Sequence, residues 1–436
     1  MDYFKRKSVW LRLAIMIGCT ALIIGCTDSQ ADVDNDRHDP LEQTLALQEL
    51  EQLTEGNDLP DYSQAAAANR AFALDWFDAL LTEHEGDNLI ISPYSASVAL
   101  AMTLRGTDSN TFAELAGVLH AGEMDEADYH LQQAALLRHL YRQQEDIVLL
   151  TANSIWHTDS RTVDEVFLTE VAQYYGAKIA GVDFSDPQTP ADMNRWVKDH
   201  TAGKIDSIVS DPIEGDPFMY LINALYVKAP WYDPFQEDRT ENRAFHLPGG
   251  EQVHVPMMQQ QRTMQAMQSD DFKAVRLALG DNAELSMYLV LPEEGKRWAD
   301  IRQVLEEAEA WRNSFNVYSV DLAFPKFRME QSIDLIESLK QMGITQLFDE
   351  TRADLGRMAG WDIRSGDRLF VDEALQKTFI EVNEQGLEAA AVTSIRSYPT
   401  SMPEPMTAVF DRPFYFWLED NESGAVLFTG AVRDPR

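Results

Sequence analysis

The chain has 436 residues, 45% apolar and 10% aromatic, a composition that builds packed cores rather than disorder. Its 72 acidic residues against 36 basic ones give a formal charge of −36; that field repels phosphate backbones and excludes nucleic acid as a partner. The length implies two domains or one large mixed fold. No apolar run of about 20 residues follows the N-terminus, which excludes a polytopic membrane protein. The cysteines, Cys19 and Cys26, both lie near the N-terminus, so the body is expected to hold no disulfide framework, zinc knuckle or cysteine nucleophile.

Lys5, Arg6, Lys7 and Arg12 precede an apolar run from Leu13 to Ile24, the layout of a targeting signal. The run ends Leu22-Ile23-Ile24-Gly25-Cys26, which resembles a bacterial lipobox, where the cysteine is acylated and the preceding peptide removed. Met16-Ile17-Gly18-Cys19 is a poorer copy. Residues 1–26 are read as a lipoprotein signal peptide, with an ordinary signal peptide or an anchoring helix as alternatives. Lipidated Cys26 would hold the protein on a membrane, since two or more acyl chains anchor stably. The expected location is the bacterial cell envelope, on the outer membrane, surface or periplasmic side, or the extracellular space. Residues 27–62 carry many acids against Arg37, and such self-repulsion makes an extended tether.

The body, residues 63–436, reads as one continuous fold. Ala65–Leu81 is a helix with Phe72, Trp76, Phe77, Leu80 and Leu81 on one stripe. Asn88–Pro93 is a short buried strand running into an apolar helix, Ser95–Leu104, which Gly106 ends. A helical stretch at Asp125–Gln144 precedes a strand at Ile147–Trp156. Strands then follow at Met219–Val227, Ala244–Val255, Phe272–Leu279, Ser286–Leu291 and Val317–Phe324. A helix at Ile333–Met342 comes before strands at Phe370–Val382, Phe414–Leu418 and Ala425–Thr429. Leading helices and later strands argue for an α+β fold with large mixed sheets.

Motifs for catalysis are missing: the sequence has no G-x-S-x-G, H-E-x-x-H, G-x-x-x-x-G-K-[ST] or G-x-G-x-x-G. Thr201-Ala202-Gly203-Lys204 lacks the first glycine of a phosphate loop and is taken as a turn. Met257, Met258, Met264 and Met267 straddle polar glutamines and are taken as packing residues rather than a soft-metal site. Neither an enzyme nor a metal or other cofactor is expected.

The unusual stretch begins Glu384-Gln385-Gly386-Leu387-Glu388-Ala389-Ala390-Ala391 and runs to Pro405. With period two, Leu387, Ala389, Ala391, Thr393 and Ile395 share a small or apolar face, while Glu388, Ala390, Val392, Ser394 and Arg396 share the other. Small side chains let a strand slide between two others, and Gly386 supplies a hinge. Pro399, Pro403 and Pro405 cannot donate to a ladder and are expected to keep that portion exposed. The competing reading is a helix-prone alanine stretch in a surface linker, which composition alone favours.

From about Ser63 to Arg436 the sequence resembles the serpins, a family of serine protease inhibitors. The resemblance is carried by Asn88…Ser92-Pro93…Ser95, Asn153, Thr201-Ala202-Gly203-Lys204-Ile205, Asn223-Ala224-Leu225-Tyr226, Lys228-Ala229-Pro230-Trp231, Val255-Pro256-Met257-Met258, Leu291-Pro292 and Phe324-Pro325-Lys326-Phe327. Glu384-x-Gly386-x-Glu388-Ala389-Ala390-Ala391 is similar to the hinge of inhibitory members, and Asp411-Arg412-Pro413-Phe414…Leu427-Phe428-x-Gly430 to the family's C-terminal signature. The resemblance implies a serpin fold whose exposed reactive loop, about residues 384–410, baits a protease. After attack, the freed hinge inserts as a new strand and traps the acyl-enzyme before hydrolysis.

Counting from the hinge as the family does puts the scissile bond at Thr400-Ser401. A small β-branched Thr400 suits elastase-like or subtilisin-like serine proteases, with papain-like cysteine proteases as a further class. Tyr398 and Met402 are rival bait positions for chymotrypsin-like enzymes, and Arg396 for trypsin-like ones. Trp231 is the expected residue of the breach at the top of the main sheet, and Ser92, Ser95, Asn223 and Gln376 its central polar network. Gln376 stands where the family usually has histidine; it both donates and accepts without titrating. Only Arg138 and Arg142 are cations in Asp125–Gln144, so heparin activation is not expected. The partners implied are target serine proteases, held covalently by a monomer. The alternative is a non-inhibitory member acting as an envelope chaperone or carrier.

Overall fold

The structure is a computed structural model that describes residues 61–140, 147–215, 217–306, 308–359, 369–388 and 403–436. Cys26 and residues 1–60, Ala389 to Ala391, Arg396, Tyr398, the Thr400-Ser401 bond and Met402 lie outside the described residues.

In chain order the strands are β1 (Leu89–Ile91), β2 (Val148–Thr158), β3 (Lys178–Val182), β4 (Met219–Pro230), β5 (Glu241–His246), β6 (Gln252–Gln268), β7 (Phe272–Leu279), β8 (Leu285–Pro292), β9 (Asn316–Pro325), β10 (Phe327–Asp334), β11 (Glu373–Asn383), β12 (Gly386–Leu387), β13 (Glu404–Val409), β14 (Phe414–Asp420) and β15 (Val426–Val432). They form two mixed sheets. One runs β10-β11-β12-β4-β2-β3; the other runs β1-β15-β14-β8-β7-β6-β9-β13, with β5 paired to β6. Helices surround them, so the architecture is the α+β arrangement expected.

The helix Ser63–Glu83 buries Phe72, Trp76, Phe77 and Leu80 on one side, as the stripe predicts. The helix Pro93–Arg105 is buried at every position from Pro93 to Leu104, because its sequence is apolar or small all round. Ser92 caps it by accepting from the Ser95 N–H, and Pro93 occupies the first turn, where a missing donor costs nothing. Helices at Ser109–Val118, Glu165–Tyr175, Thr189–His200 and Trp298–Glu306 were not anticipated.

β4 is buried along nearly its whole length, because both faces are covered. Leu221, Leu225 and Val227 join the main core. Tyr220, Ile222, Ala224 and Tyr226 pack in a second cluster with Met193, Trp196 and Val197 of the helix Thr189–His200. Met257 and Met258 are buried in the main core, with Met264 and Met267 against it.

Three expectations need correction. Ala244–Val255 is not one strand but the hairpin of β5 and β6: the chain folds back at Leu247–Glu251, with Gly250 at a φ of 82°, where glycine is unstrained. Ile333 ends strand β10, and the helix starts only at Ile336; Phe327, Met329 and Ile333 alternate with exposed Arg328, Glu330, Ser332 and Asp334, a period of two that outweighs the helical pattern. Pro405 is exposed as expected, but it does not keep the loop's end out of a sheet. Glu404–Val409 is strand β13, parallel to β9 with Pro405 opposite Ser319. β13 is the sheet's last strand, and an edge position leaves one side without ladder partners, so proline fits.

Candidate functional site

β11 alternates Ala374, Gln376, Thr378, Ile380 and Val382 toward the core. Among these apolar neighbours Gln376, fully buried, needs partners, because a buried amide without them costs about 1–3 kcal/mol. Its Oε1 accepts from the Ser92 N–H at 2.9 Å, and its Nε2 donates to Ser92 O at 2.9 Å and to Asn223 Oδ1 at 2.8 Å. Asn223 on β4 donates onward to Ser95 O and to Asn153 Oδ1 of β2, both at 2.6 Å. The Ser92 hydroxyl donates to Leu427 O at 2.8 Å. Three strands of the smaller sheet are thus fastened to the start of the central helix. Ser95 takes part through its main chain; its buried hydroxyl has no partner among the described residues.

Gln376→Leu keeps the volume but strands the Ser92 N–H and the Asn223 carbonyl oxygen. It is expected to lower unfolding free energy by about 2–4 kcal/mol, measured as a drop in the urea midpoint. An unchanged midpoint would show that the network contributes nothing to stability.

Through this network β4 and β11 pair in parallel from Glu373↔Tyr220 to Thr378↔Leu225, six residue pairs that include Gln376↔Asn223 itself. Above it they part, and β12 lies between them, antiparallel to both: Leu387 opposes Val382 and Ala229, and Gly386 opposes Asn383 and Pro230. Leu387 is 1% exposed, within the main core. Gly386 has a φ of 146°, and a Cβ there would sit 2.7 Å from Pro230 Cα and 2.8 Å from Trp231 N, so no larger residue fits.

The chain reaches this position through a tight set of main-chain contacts. The Trp231 N–H donates to Gln385 O at 2.9 Å, the Phe235 N–H to Glu384 O at 2.8 Å, and the Trp231 indole N–H to Asn383 O at 2.8 Å. The Trp231 ring is held edge-on against Phe235 and Phe324. Glu384 accepts from the Thr240 hydroxyl at 2.7 Å and pairs with Lys326 at 2.8 Å, its side chain 8% exposed. Burial pushes its carboxyl pKa up, but Lys326 and Thr240 outweigh this and hold it below the ordinary carboxylate value.

Glu388 follows with a φ of 50° and donates its N–H to Glu381 O at 3.1 Å. Its carboxylate pairs with Lys204, on the turn after the helix Thr189–His200. Nearby Tyr226 is held above its usual pKa by burial first and by the Glu388 charge second. Leu387 and Glu388 therefore go to opposite sides of the sheet, as period-two alternation requires.

The structure brings Glu384, Gly386, Leu387, Glu388 and Trp231 together at one end of the sheet, and Ser92, Ser95, Asn223 and Gln376 at its centre. Sequence reasoning missed the partners that hold Glu384 and Glu388. Thr240 and Lys204 sit in turns far away in sequence. Lys326 stands between two apolar strands, where an unpaired cation was the only available signal.

A profile of the family Serpin (serine protease inhibitor) matches residues 67–435. The chain is 32% identical over 385 residues to the human leukocyte elastase inhibitor, spanning 85% of this chain and 100% of that protein. It is 31% identical over 402 residues, 90% of each chain, to a serpin-like protein of Thermococcus kodakarensis. The thermophilic serpin Tengpin in its native state superposes with a TM-score of 0.77 at 28% identity, over 87% of this chain and 95% of that one. Family profile, relatives and fold agree, and the chain belongs to the serpin family.

Proposed function

We propose that this serpin is a suicide inhibitor of serine proteases, elastase-like or subtilisin-like, with chymotrypsin-like enzymes and papain-like cysteine proteases as further targets. The protease nucleophile attacks the Thr400 carbonyl carbon, the Thr400-Ser401 amide breaks, and the Ser401 amine leaves, so the inhibitor's N-terminal portion is esterified to the enzyme. The observation that carries this reading is β12, a two-residue antiparallel strand already lodged between β4 and β11. Extending it breaks the six parallel β4–β11 pairs but forms antiparallel ladders on both sides, the slightly stronger pairing. Cleavage would remove the covalent restraint that holds the strand out, and trapping succeeds when insertion outruns deacylation.

Gln376 keeps the sheet centre hydrogen-bonded without a titrating group, so opening is not expected to depend on pH there. Residues 1–26 would supply a signal and lipidated Cys26 an envelope anchor, with 27–62 as the tether; no helix among the described residues is long and apolar enough to cross a membrane.

Incubating the body with an elastase, a subtilisin, chymotrypsin and trypsin tests the reading on denaturing gels, with mass spectrometry of the released peptide. A covalent complex and release of a peptide beginning at Ser401 are expected, with a higher Tm after loop cleavage. Cleavage after Tyr398, Met402 or Arg396 reassigns the bait position. Cleavage with no complex and no gain in Tm would favour the non-inhibitory alternative.

A further inference from the structure

Trp231 and Phe235, each 3% exposed, hold the hinge with their backbone N–H groups and border an open cleft of about 230 Å³ on the larger sheet, together with Met264, Gln265, Arg262 and Arg276. That volume is just under the roughly 300–1,000 Å³ of ordinary small-molecule sites, and the lining has the usual make-up of aromatic and thioether surface with a few polar groups. Its charge stands out in a chain of net charge −36: two guanidiniums face one carboxylate, Asp233. Arg262 pairs with that carboxylate at 2.6 Å. Arg276 donates only to neutral oxygens, those of Ser286 at 2.7 Å, Gln265 at 2.5 Å and Asn421 at 3.0 Å. Among the described residues no carboxylate pairs with it, and a guanidinium has five donors, so two remain for a ligand.

We propose that this cleft is a binding site for a small amphipathic anion, its carboxylate or sulfonate on Arg276 and its apolar body against Trp231 and Phe235, and that occupancy braces the hinge. The coupling follows from connectivity. The Trp231 indole ties β4's end to Asn383 at the end of β11, and the Trp231 and Phe235 amides hold Gln385 and Glu384. A ligand packed on both rings restricts their movement, so these three hydrogen bonds open less often and the hinge amides exchange more slowly. Binding is a property of the cleft alone; only its consequence for protease trapping rests on the function proposed above.

Anilinonaphthalene sulfonate is the probe, titrated by fluorescence against the full chain, with phenylbutyrate as a competitor and phenylbutyramide as its uncharged control. Phenylbutyrate should displace the probe and the amide should not. Arg276→Gln should weaken binding about tenfold, the loss expected for one charge-assisted hydrogen bond. Met264→Trp, which fills the cleft without touching Arg276, should abolish competition while circular dichroism stays unchanged. Hydrogen exchange at the Trp231 and Phe235 amides should slow severalfold with phenylbutyrate bound. Equal affinity for wild type and both variants overturns the site. Binding that leaves those amides unaffected overturns the brace. Neither readout uses a protease, so failure here is distinct from failure of the inhibitor reading.

Discussion

Ala389→Arg is expected to convert the inhibitor into a substrate: the loop is still cut, but covalent complex falls at least tenfold and cleaved serpin accumulates. Leu387 already sits in the main core at 1% exposure, and residue 389 shares its face once the strand extends. Insertion would carry a guanidinium into an apolar interior with no carboxylate to meet it, at a cost of several kcal/mol. Each 1.4 kcal/mol added to the insertion barrier slows it about tenfold, while deacylation keeps its rate. Ala390→Arg is a control of the same size and charge on the Glu388 side of the strand, and it should lose less. Denaturing gels give the ratio of complex to cleaved product. A ratio unchanged by Ala389→Arg would rule out insertion in this register.

Glu384→Lys is the second large effect. Glu384 is held by Thr240 and Lys326 with its side chain 8% exposed, so reversal loses an ion pair and a hydrogen bond and sets two ammonium groups side by side. Lys326 is 37% exposed, so water screens the pair, and losing it with the Thr240 bond costs about 1–3 kcal/mol, or a Tm lowered by roughly 2–6 °C. Release of Glu384 also loosens the Phe235 contact that positions β12, so faster exchange at the Phe235 amide should accompany the loss. Adding Lys326→Glu should restore part of the Tm in the double variant, and failure to do so would show that the pair is not the cause.

The same pair gives a pH dependence of definite sign. Glu384 has a folded pKa below its ordinary value. Its stabilisation is therefore complete above the ordinary carboxylate range and is lost as pH falls through the lowered folded pKa. Subtracting the Glu384→Gln stability curve from that of wild type isolates this contribution. A difference that grows toward low pH would contradict the assignment.

Much of the fold was legible because its signals are local. The Phe72–Leu80 stripe, the apolar helix that Gly106 ends and the short strands of β7, β8 and β14 each announce themselves within a few residues through apolar period or turn chemistry. Errors arose where two periods competed, as at Ile333, or where a tight turn lay inside one apolar run, as at Leu247–Glu251. Pro405 misled for a different reason: a missing donor bars a residue from the middle of a sheet but not from its edge, and edge position is a property of the assembled sheet.

The sequence by itself determined the alternation of Leu387 and Glu388 and the donor–acceptor capacity of Gln376, since these follow from covalent chemistry and backbone geometry, whereas the need for glycine at 386 comes from the approach of Pro230 and Trp231. Tertiary structure alone decided that Gln376 meets Ser92 and Asn223, that Lys326 and Thr240 hold Glu384, that Lys204 meets Glu388, and that Gly386 and Leu387 already stand between β4 and β11. Those pairings join positions 58 to 284 residues apart. Which distant groups become neighbours is fixed only when both sheets close around a shared core, because burial there forces each polar group to find a partner.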